Sequence, residues 1–406
     1  MSLVLTLCML AAGTYVWRVQ ELYEQCGPIV CISPNALHVN DPDFHDYAWA
    51  LPHFNTPQAM VATAEYNHHR LRRSAVAQFF SKAKIRRFDY VLKDNIKNFL
   101  SRLQEFEENG GPGNTLEAFK ALTSDILTTY AFGESHNYLD VKDFNQPFWD
   151  MFHELSHTYA ISNHFPLFLP FMSSLPGWMQ RSMGMENIMA TIFRDLLNSS
   201  LPPEEKTIER MWHDCQMFNV ARSKTTSWAF ANCTFYLLNG TINYIATSEL
   251  EVLPYLILIK ESLRLSFGVA GRLYRISTTK TQMLKDGTKE WIIPAGTTVA
   301  MSNPLVSLNP KIFPSAAIFD PSRWLDNPQL DRYLVAFSKG LRGCVGLNLA
   351  WADLYFTVAA VFARGGGEER TMRLWKTSVE DVQAIHDFFV PAPRLDSKGV
   401  KVILSS

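Results

Sequence analysis

One stretch limits what this chain can be more than any other: Phe337 to Ala350, reading Phe-Ser-Lys-Gly-Leu-Arg-Gly-Cys-Val-Gly-Leu-Asn-Leu-Ala. It stands between a run of turn formers and a long apolar segment that reads as a helix. Cys344 sits at its centre, between Gly343 and Gly346. A thiolate that serves as a metal ligand must be deprotonated, kept from water and approached by backbone N–H groups that temper its charge. Small neighbours permit that approach. Gly340 and Gly343 allow backbone angles that a side chain would forbid, and a helix beginning near Gly346 points its positive end at the sulfur. Arg342 is a fixed cation suited to a carboxylate, and Phe337 could screen the ligand from solvent. A lone buried cysteine is ordinarily a small core hydrophobe, so it is the spacing that sets Cys344 apart.

Spaced as Phe-x-x-Gly-x-Arg-x-Cys-x-Gly-x-x-x-Ala, the stretch resembles the haem-binding loop of the cytochromes P450. The resemblance implies a mostly α fold, a large helical domain with a smaller β-rich region and haem b between them. It makes Cys344 the axial thiolate, with Phe337, Gly340, Arg342 and Gly346 lining the cofactor.

Composition allows a large core in one big domain or two. At 406 residues, 47% hydrophobic and 13% aromatic, the chain can bury a large core. A net charge of −1 without a basic stripe argues against a nucleic-acid partner. Six scattered cysteines favour neither a disulfide scaffold nor a zinc site, and point to a reducing compartment. The sequons at Asn198, Asn232 and Asn239 are then chance matches.

At the N-terminus, Leu3 to Trp17 is apolar and uncharged up to Arg18. As a helix of about 22 Å it is marginal for a bilayer core of roughly 30 Å, so a buried first helix competes with an anchor. The family resemblance favours an endoplasmic-reticulum anchor over residues 1–18, with a P450 domain over 19–406 facing the cytosol. Gly27 to Val39 reads as a β-hairpin. His69 and Arg73, at i and i+4, read as one face of a helix. By resemblance both are directed at the haem propionates, and Arg70, Arg72, Lys82, Arg86 and Arg87 form a basic docking face for a redox partner. Residues 115–160 read as two amphipathic helices. The proline-broken apolar run from His164 to Met179 reads equally as a substrate lid or as a hydrophobic loop on the core.

Pro202 and Pro203 open a helix expected to run from Glu204 to Asn239, about 54 Å, with Gly240 to stop it. Its inward stripe carries Arg222 and Thr225. In the family this is the place of Ala/Gly-Gly-x-Asp/Glu-Thr-Thr, where an acid and an alcohol relay protons. Here Ala221 to Thr226 reads Ala-Arg-Ser-Lys-Thr-Thr, so Thr225 matches the catalytic alcohol, Arg222 replaces the glycine and Lys224 replaces the acid. Lysine, with a pKa of about 10.4, does not readily accept a proton near neutrality. Only Thr241 to Thr247 separates this helix from the next helix-opening segment, where the family has two further helices.

Glu261 and Arg264 lie at i and i+3 on the next helix, which Pro254 starts and Gly268 ends. An ordinary reading is a weak surface pair. They match the family's Glu-x-x-Arg motif, with Arg323 completing a buried structural network. Arg272 stands where the family tends to place another propionate ligand. Trp291 to Met301, with Pro-Ala-Gly at its middle, reads as a hairpin. The haem-loop helix is expected to reach about Arg364 and stop at Gly365 to Gly367. Phe388 and Phe389 resemble a hairpin tip that touches substrate.

The resemblance therefore implies a fungal microsomal monooxygenase oxidising a lipophilic small molecule in secondary metabolism. Electrons would come from NADPH through a reductase. A haem-thiolate isomerase or peroxide-using enzyme, and a catalytically impaired haem-binding remnant, are the alternatives that Arg222 and Lys224 keep open.

Overall fold

A computed structural model describes residues 9, 12–33, 36–42, 58–63, 65–108, 110–150, 201–240, 253–277, 279–286, 289–362 and 371–405. The run His164 to Met179, the connection Thr241 to Thr247, the sequon Asn198, and Gly365 to Gly367 lie outside them, as does much of the apolar N-terminal stretch.

Helix α1 (Tyr15–Cys26) buries Tyr15, Val16, Val19 and Tyr23, at the three- and four-residue spacing of one helical face. That face packs on the sheet formed by β1 (Ile29–Ser33) and β2 (Ala36–Val39), against Val30, Ile32 and Ala36. The helix runs across position 18, where an anchor was expected to end. Among the described residues no helix is long and apolar enough to cross a membrane. The β1–β2 pair is the hairpin expected from Gly27 to Val39, with Ile29 opposite Val39 and Val30 opposite His38.

Two helices then lead toward the cysteine loop: α2 (Tyr66–Ala77), capped by the Glu65 carboxylate, and α3 (Lys82–Arg87), capped by Ser81. The helical core follows in α4 (Asp89–Glu108) and α5 (Thr115–Phe132), the latter preceded by β3 (Gly113–Asn114). Asn114 caps α5, and Gly133 ends it in the left-handed conformation. The second helix expected before residue 160 lies largely outside the described residues. Helix α6 (Ile208–Leu238) crosses the domain. It begins later than the prolines suggested, because Pro203–Lys206 forms a 3-10 turn and extended Thr207 caps the helix through Arg210 N–H. Phe119 of α5 stacks between Phe99 of α4 at 5.1 Å and Phe230 of α6 at 4.6 Å, all three almost fully buried. Each such ring contributes about 1.5–3 kcal/mol on burial, which fixes α6 against the bundle.

Helix α7 (Leu253–Ser266) packs beside α6. After it come β4 (Leu273–Ile276), β5 (Gln282–Asp286), β6 (Lys289–Ile293) and β7 (Thr298–Met301). The expected hairpin over Trp291 to Met301 does not form. Strand β6 pairs with β5, whereas β7 runs parallel to β2 and antiparallel to β4, giving the order β1-β2-β7-β4. Pro294 to Gly296 is thus a link between two sheets, with Gly296 N–H bonded to Ser277 O at 2.7 Å. Short helices α8 (Asn303–Ser307) and α9 (Arg323–Asp326) precede the cysteine loop, and α10 (Leu347–Phe362) follows it. The chain closes with β8 (Thr371–Leu374), β9 (His386–Phe388), β10 (Val390–Ala392) and β11 (Lys401–Ser405), in which β11 joins β3 to β8.

Cys26, Cys31, Cys215, Cys233 and Cys344 form no disulfide among the described residues. Asn232 is 1% exposed and donates to Trp228 O, so that sequon is closed to modification in the folded state.

Candidate active site

The cysteine loop is bent by local hydrogen bonds. Ser338 N–H reaches Val335 O at 2.7 Å, Gly343 N–H reaches Gly340 O at 3.0 Å, and Cys344 N–H reaches Phe337 O at 2.8 Å. Gly340 takes φ +66°, the left-handed angle that glycine adopts without strain. Gly343 does not, since its φ is −55°. A Cβ at Gly343 would lie 3.2 Å from Gly340 O, and one at Gly346 would lie 3.8 Å from Cys344 Sγ. A side chain at Gly346 would meet only ordinary contact, and what this residue offers the sulfur is its backbone N–H.

Cys344, an exposed residue, lines a cleft of about 530 Å³ together with Arg73, Phe80, Phe337, Gly340 and Trp351. The surrounding protein crowds it. That burial pushes the thiol pKa up, while Gly346 N–H and the charges of Arg73 and Arg222 pull it down. These are donors and cations that a bound thiolate requires. The tilted Phe337 ring lies 6.2 Å from Trp351.

Around the loop gather arginines and a neutral histidine. Arg342 donates to Thr63 O at 2.7 Å, and burial followed by the charges of Arg275 and Arg73 pushes its pKa down to about 10. Burial does the same to Arg275, whose guanidinium donates to Ser338 Oγ at 3.3 Å. His69 is 4% exposed, and burial, then Arg342 and Arg73, hold its pKa down to about 3. Among the described residues no carboxylate is ion-paired with Arg73 or Arg275. Half-buried arginines that repel one another beside a thiol form a site for an anion-bearing ligand. The carboxylate arms of haem meet that need, so the residues present fit the cofactor.

The structure thus brings Cys344, Phe337, Gly340, Arg342, Gly346, His69 and Arg73 together. It places Arg272 differently from expectation: that guanidinium stacks 4.3 Å over Tyr15 and 5.5 Å over Tyr274, near Asp387. Arg275 is the arginine beside Arg342, and sequence reading missed it. Strand parity carries the signal, because Arg275 points to the face of β4 opposite Tyr274. Arg72 leaves the proposed docking face too. It is 7% exposed and bonds Glu205 at 2.7 and 3.1 Å, while Arg70, Lys82, Arg86 and Arg87 remain exposed. Phe388 is buried beside Gly13, and Phe389 occupies the β9–β10 turn with φ +74°.

On α6, half-buried Thr225 donates its hydroxyl to Ala221 O at 2.8 Å. Lys224 is half-buried, and Arg222, 9% exposed, is ion-paired with fully buried Asp353 of α10. Asp353 was also missed, for its partner lies 131 residues away in sequence.

The scaffold under the loop is the three-charge network. Glu261 and Arg264 are 0% and 1% exposed, which rules out a surface pair. Arg264 donates to both Glu261 oxygens at 2.9 and 2.6 Å and to the carbonyls of Ser307, Ala316 and Ile318. Arg323 and Trp324 donate to the same carboxylate at 3.2 and 2.9 Å. From the end of α7, Gly268 touches the loop directly: a Cβ there would sit 2.2 Å from Ala336 O.

Comparison with known proteins agrees with this geometry. The family model described as Cytochrome P450 matches residues 35–229 and 237–364, breaking near the end of α6. Tryptophan 6-hydroxylase fscE of Fusarium equiseti is 30% identical, covering 96% of this chain and 87% of the relative. Cytochrome P450 monooxygenase MO6277 of Ascocoryne sarcoides is 33% identical over 96% and 88%. Cytochrome P450 monooxygenase tpcC of Cochliobolus heterostrophus is 31% identical over 98% and 88%. That last alignment spans 467 residues against 406 in the chain, so the relative carries residues this one lacks. On this match and this cysteine loop, the chain belongs to the cytochrome P450 family and is an oxidoreductase of the monooxygenase type.

Proposed function

We propose that the chain oxidises a lipophilic small molecule of fungal secondary metabolism, with electrons from NADPH delivered by a cytochrome P450 reductase at the cytosolic face of the endoplasmic reticulum. The observation that carries the reading is Cys344 lining a cleft beside Gly346 N–H and the Arg73, Arg275 and Arg342 cations. Haem, when bound, supplies dioxygen chemistry in which one oxygen atom enters the substrate and the other leaves as water, consuming the electron pair of NADPH.

The chain's own residues prepare that chemistry. Cys344 holds the iron, and Gly346 N–H tempers the sulfur's charge. Arg73, Arg275, Arg342 and neutral His69 hold the propionates. Phe337 and Trp351 cover the loop and exclude water. Thr225 Oγ1 holds a proton on α6, now shared with Ala221 O. Exposed Arg70, Lys82, Arg86 and Arg87 offer the reductase a basic face. A peroxide-driven oxidation or an isomerisation is the second reading, favoured by Lys224 standing in the place of an acid.

The test is the absorbance of the reduced, carbon-monoxide-bound protein. Wild type is expected to show the red-shifted band of thiolate ligation, and Cys344→Ser to lose it. An unchanged spectrum in Cys344→Ser overturns the reading. Turnover with reductase and NADPH, set against turnover with peroxide alone, separates the two reactions.

A further inference from the structure

The residue that departs most from the family pattern is also firmly held. Arg222 of α6 reaches across to Asp353 of α10, the helix that begins three residues after Cys344. The two are 9% and 0% exposed. Asp353 Oδ1 and Arg222 Nε have no hydrogen-bond partner among the described residues, and neither does buried Thr357 Oγ1, one turn further along α10. Each charge is therefore neutralised chiefly by the other. Neither side chain lines the cleft in front of Cys344. Yet Arg222 lies close enough to act electrostatically on Cys344 and on Tyr130, whose hydroxyl donates to Phe79 O.

The partners are not equivalent. Burial pushes the Asp353 carboxyl up to about 6 against the opposing charge of Arg222, so the acid can neutralise itself by taking a proton. A guanidinium cannot. Removing the arginine leaves a buried acid that protonates. Removing the acid leaves a permanent cation beside the haem site.

We propose that Asp353 is a positioning residue: by pairing with Arg222 it keeps that guanidinium against α10 and out of the haem cleft, and holds α6, which carries Thr225, in register over the helix behind Cys344. The inference rests on the haem reading of Cys344. It accounts for an arginine being tolerated where the family has glycine, because the charge is drawn sideways into the helix interface.

The test is a double-mutant cycle on the full chain, with Asp353→Asn, Arg222→Gly and the pair. Haemin titration followed by absorbance, the reduced carbon-monoxide spectrum, and urea unfolding of the haem-free protein are read for each. Asp353→Asn is expected to weaken haem binding by about tenfold or more and to lower the urea midpoint. Arg222→Gly is expected to do less on both readouts, and the double variant to recover most of what Asp353→Asn loses. A wild-type haem affinity and urea midpoint in Asp353→Asn, or a double variant as weak as Asp353→Asn, overturns the proposal. If Asp353→Asn gives no soluble protein, recovery in the double variant supports it and failure to recover overturns it. Should wild type itself take up no haem, the haem reading fails, and the urea cycle still decides whether Asp353 serves to hold Arg222.

Discussion

Glu261, Arg264 and Arg323 bury their charges and answer them from within the fold, whereas Arg73 and Arg275, which no described carboxylate pairs, stand with Arg342 around a neutral His69. In the first group the Glu261 carboxylate, Asp320 at 3.8 Å from Arg323, and the carbonyls of Ser307, Pro314, Ala316 and Ile318 absorb two guanidiniums. In the second, burial and like charge depress the pKa values of Arg342 and His69. The difference separates scaffold from site. A network complete in itself holds shape, and one left with excess charge is completed by what it binds.

Three measurements press on that contrast. Glu261→Gln strands two arginines in the interior and is expected to cost about 3–5 kcal/mol of unfolding free energy, read by urea denaturation. A cost below about 1 kcal/mol would remove the network from the scaffold. Arg73→Ala should leave the urea midpoint of the haem-free protein unchanged or raised, since it relieves repulsion. Its haem affinity should fall by roughly tenfold to a hundredfold, the worth of a hydrogen bond to a charged group. If it instead unfolds like Glu261→Gln, the two groups are the same kind of structure.

The smallest effect is a pH dependence. In the folded state His69 has a pKa near 3, below the 6.5 of an unfolded histidine, so the native state refuses a proton that the unfolded chain accepts. Its contribution is intact above pH 6.5 and is lost progressively as pH falls toward 3. At pH 5.5 the loss from this group is about 1.4 kcal/mol, and His69→Gln should flatten the acid limb of stability by that amount. An identical limb in the variant would place the acid sensitivity elsewhere, with buried His38, also held near 3 by burial and then Arg272, as the next group to replace.

What the sequence made legible follows from locality. The cysteine loop, Glu261 with Arg264, and His69 with Arg73 are short-range patterns whose spacing fixes which side chains share a face. Arg323 was reached through a motif. The misreadings arise where tertiary partners decide. Arg72 looks like its exposed neighbour Arg70 until Glu205 arrives from 133 residues away. Arg272 and Arg275 are distinguished only by knowing that β4 begins at Leu273. Pro294 to Gly296 looks like a hairpin turn because flanking apolar runs cannot say which strand each will pair with. Arg222 on an inward stripe was visible as an anomaly, but its solution required Asp353 from another helix.

The two ends of the described chain are sewn together. Trp17 Nε1 donates to Ile385 O at 2.8 Å, Asp387 N–H to Gly13 O at 2.6 Å and His386 Nδ1–H to Ala12 O at 2.9 Å. Anyone trimming the front of this protein to ease its purification faces a hidden seam. A cut at residue 18 would sever all three stitches and leave the β9–β10 turn, which the backbone of Ala270 and Gly271 leans on through Phe389 O, without its backing.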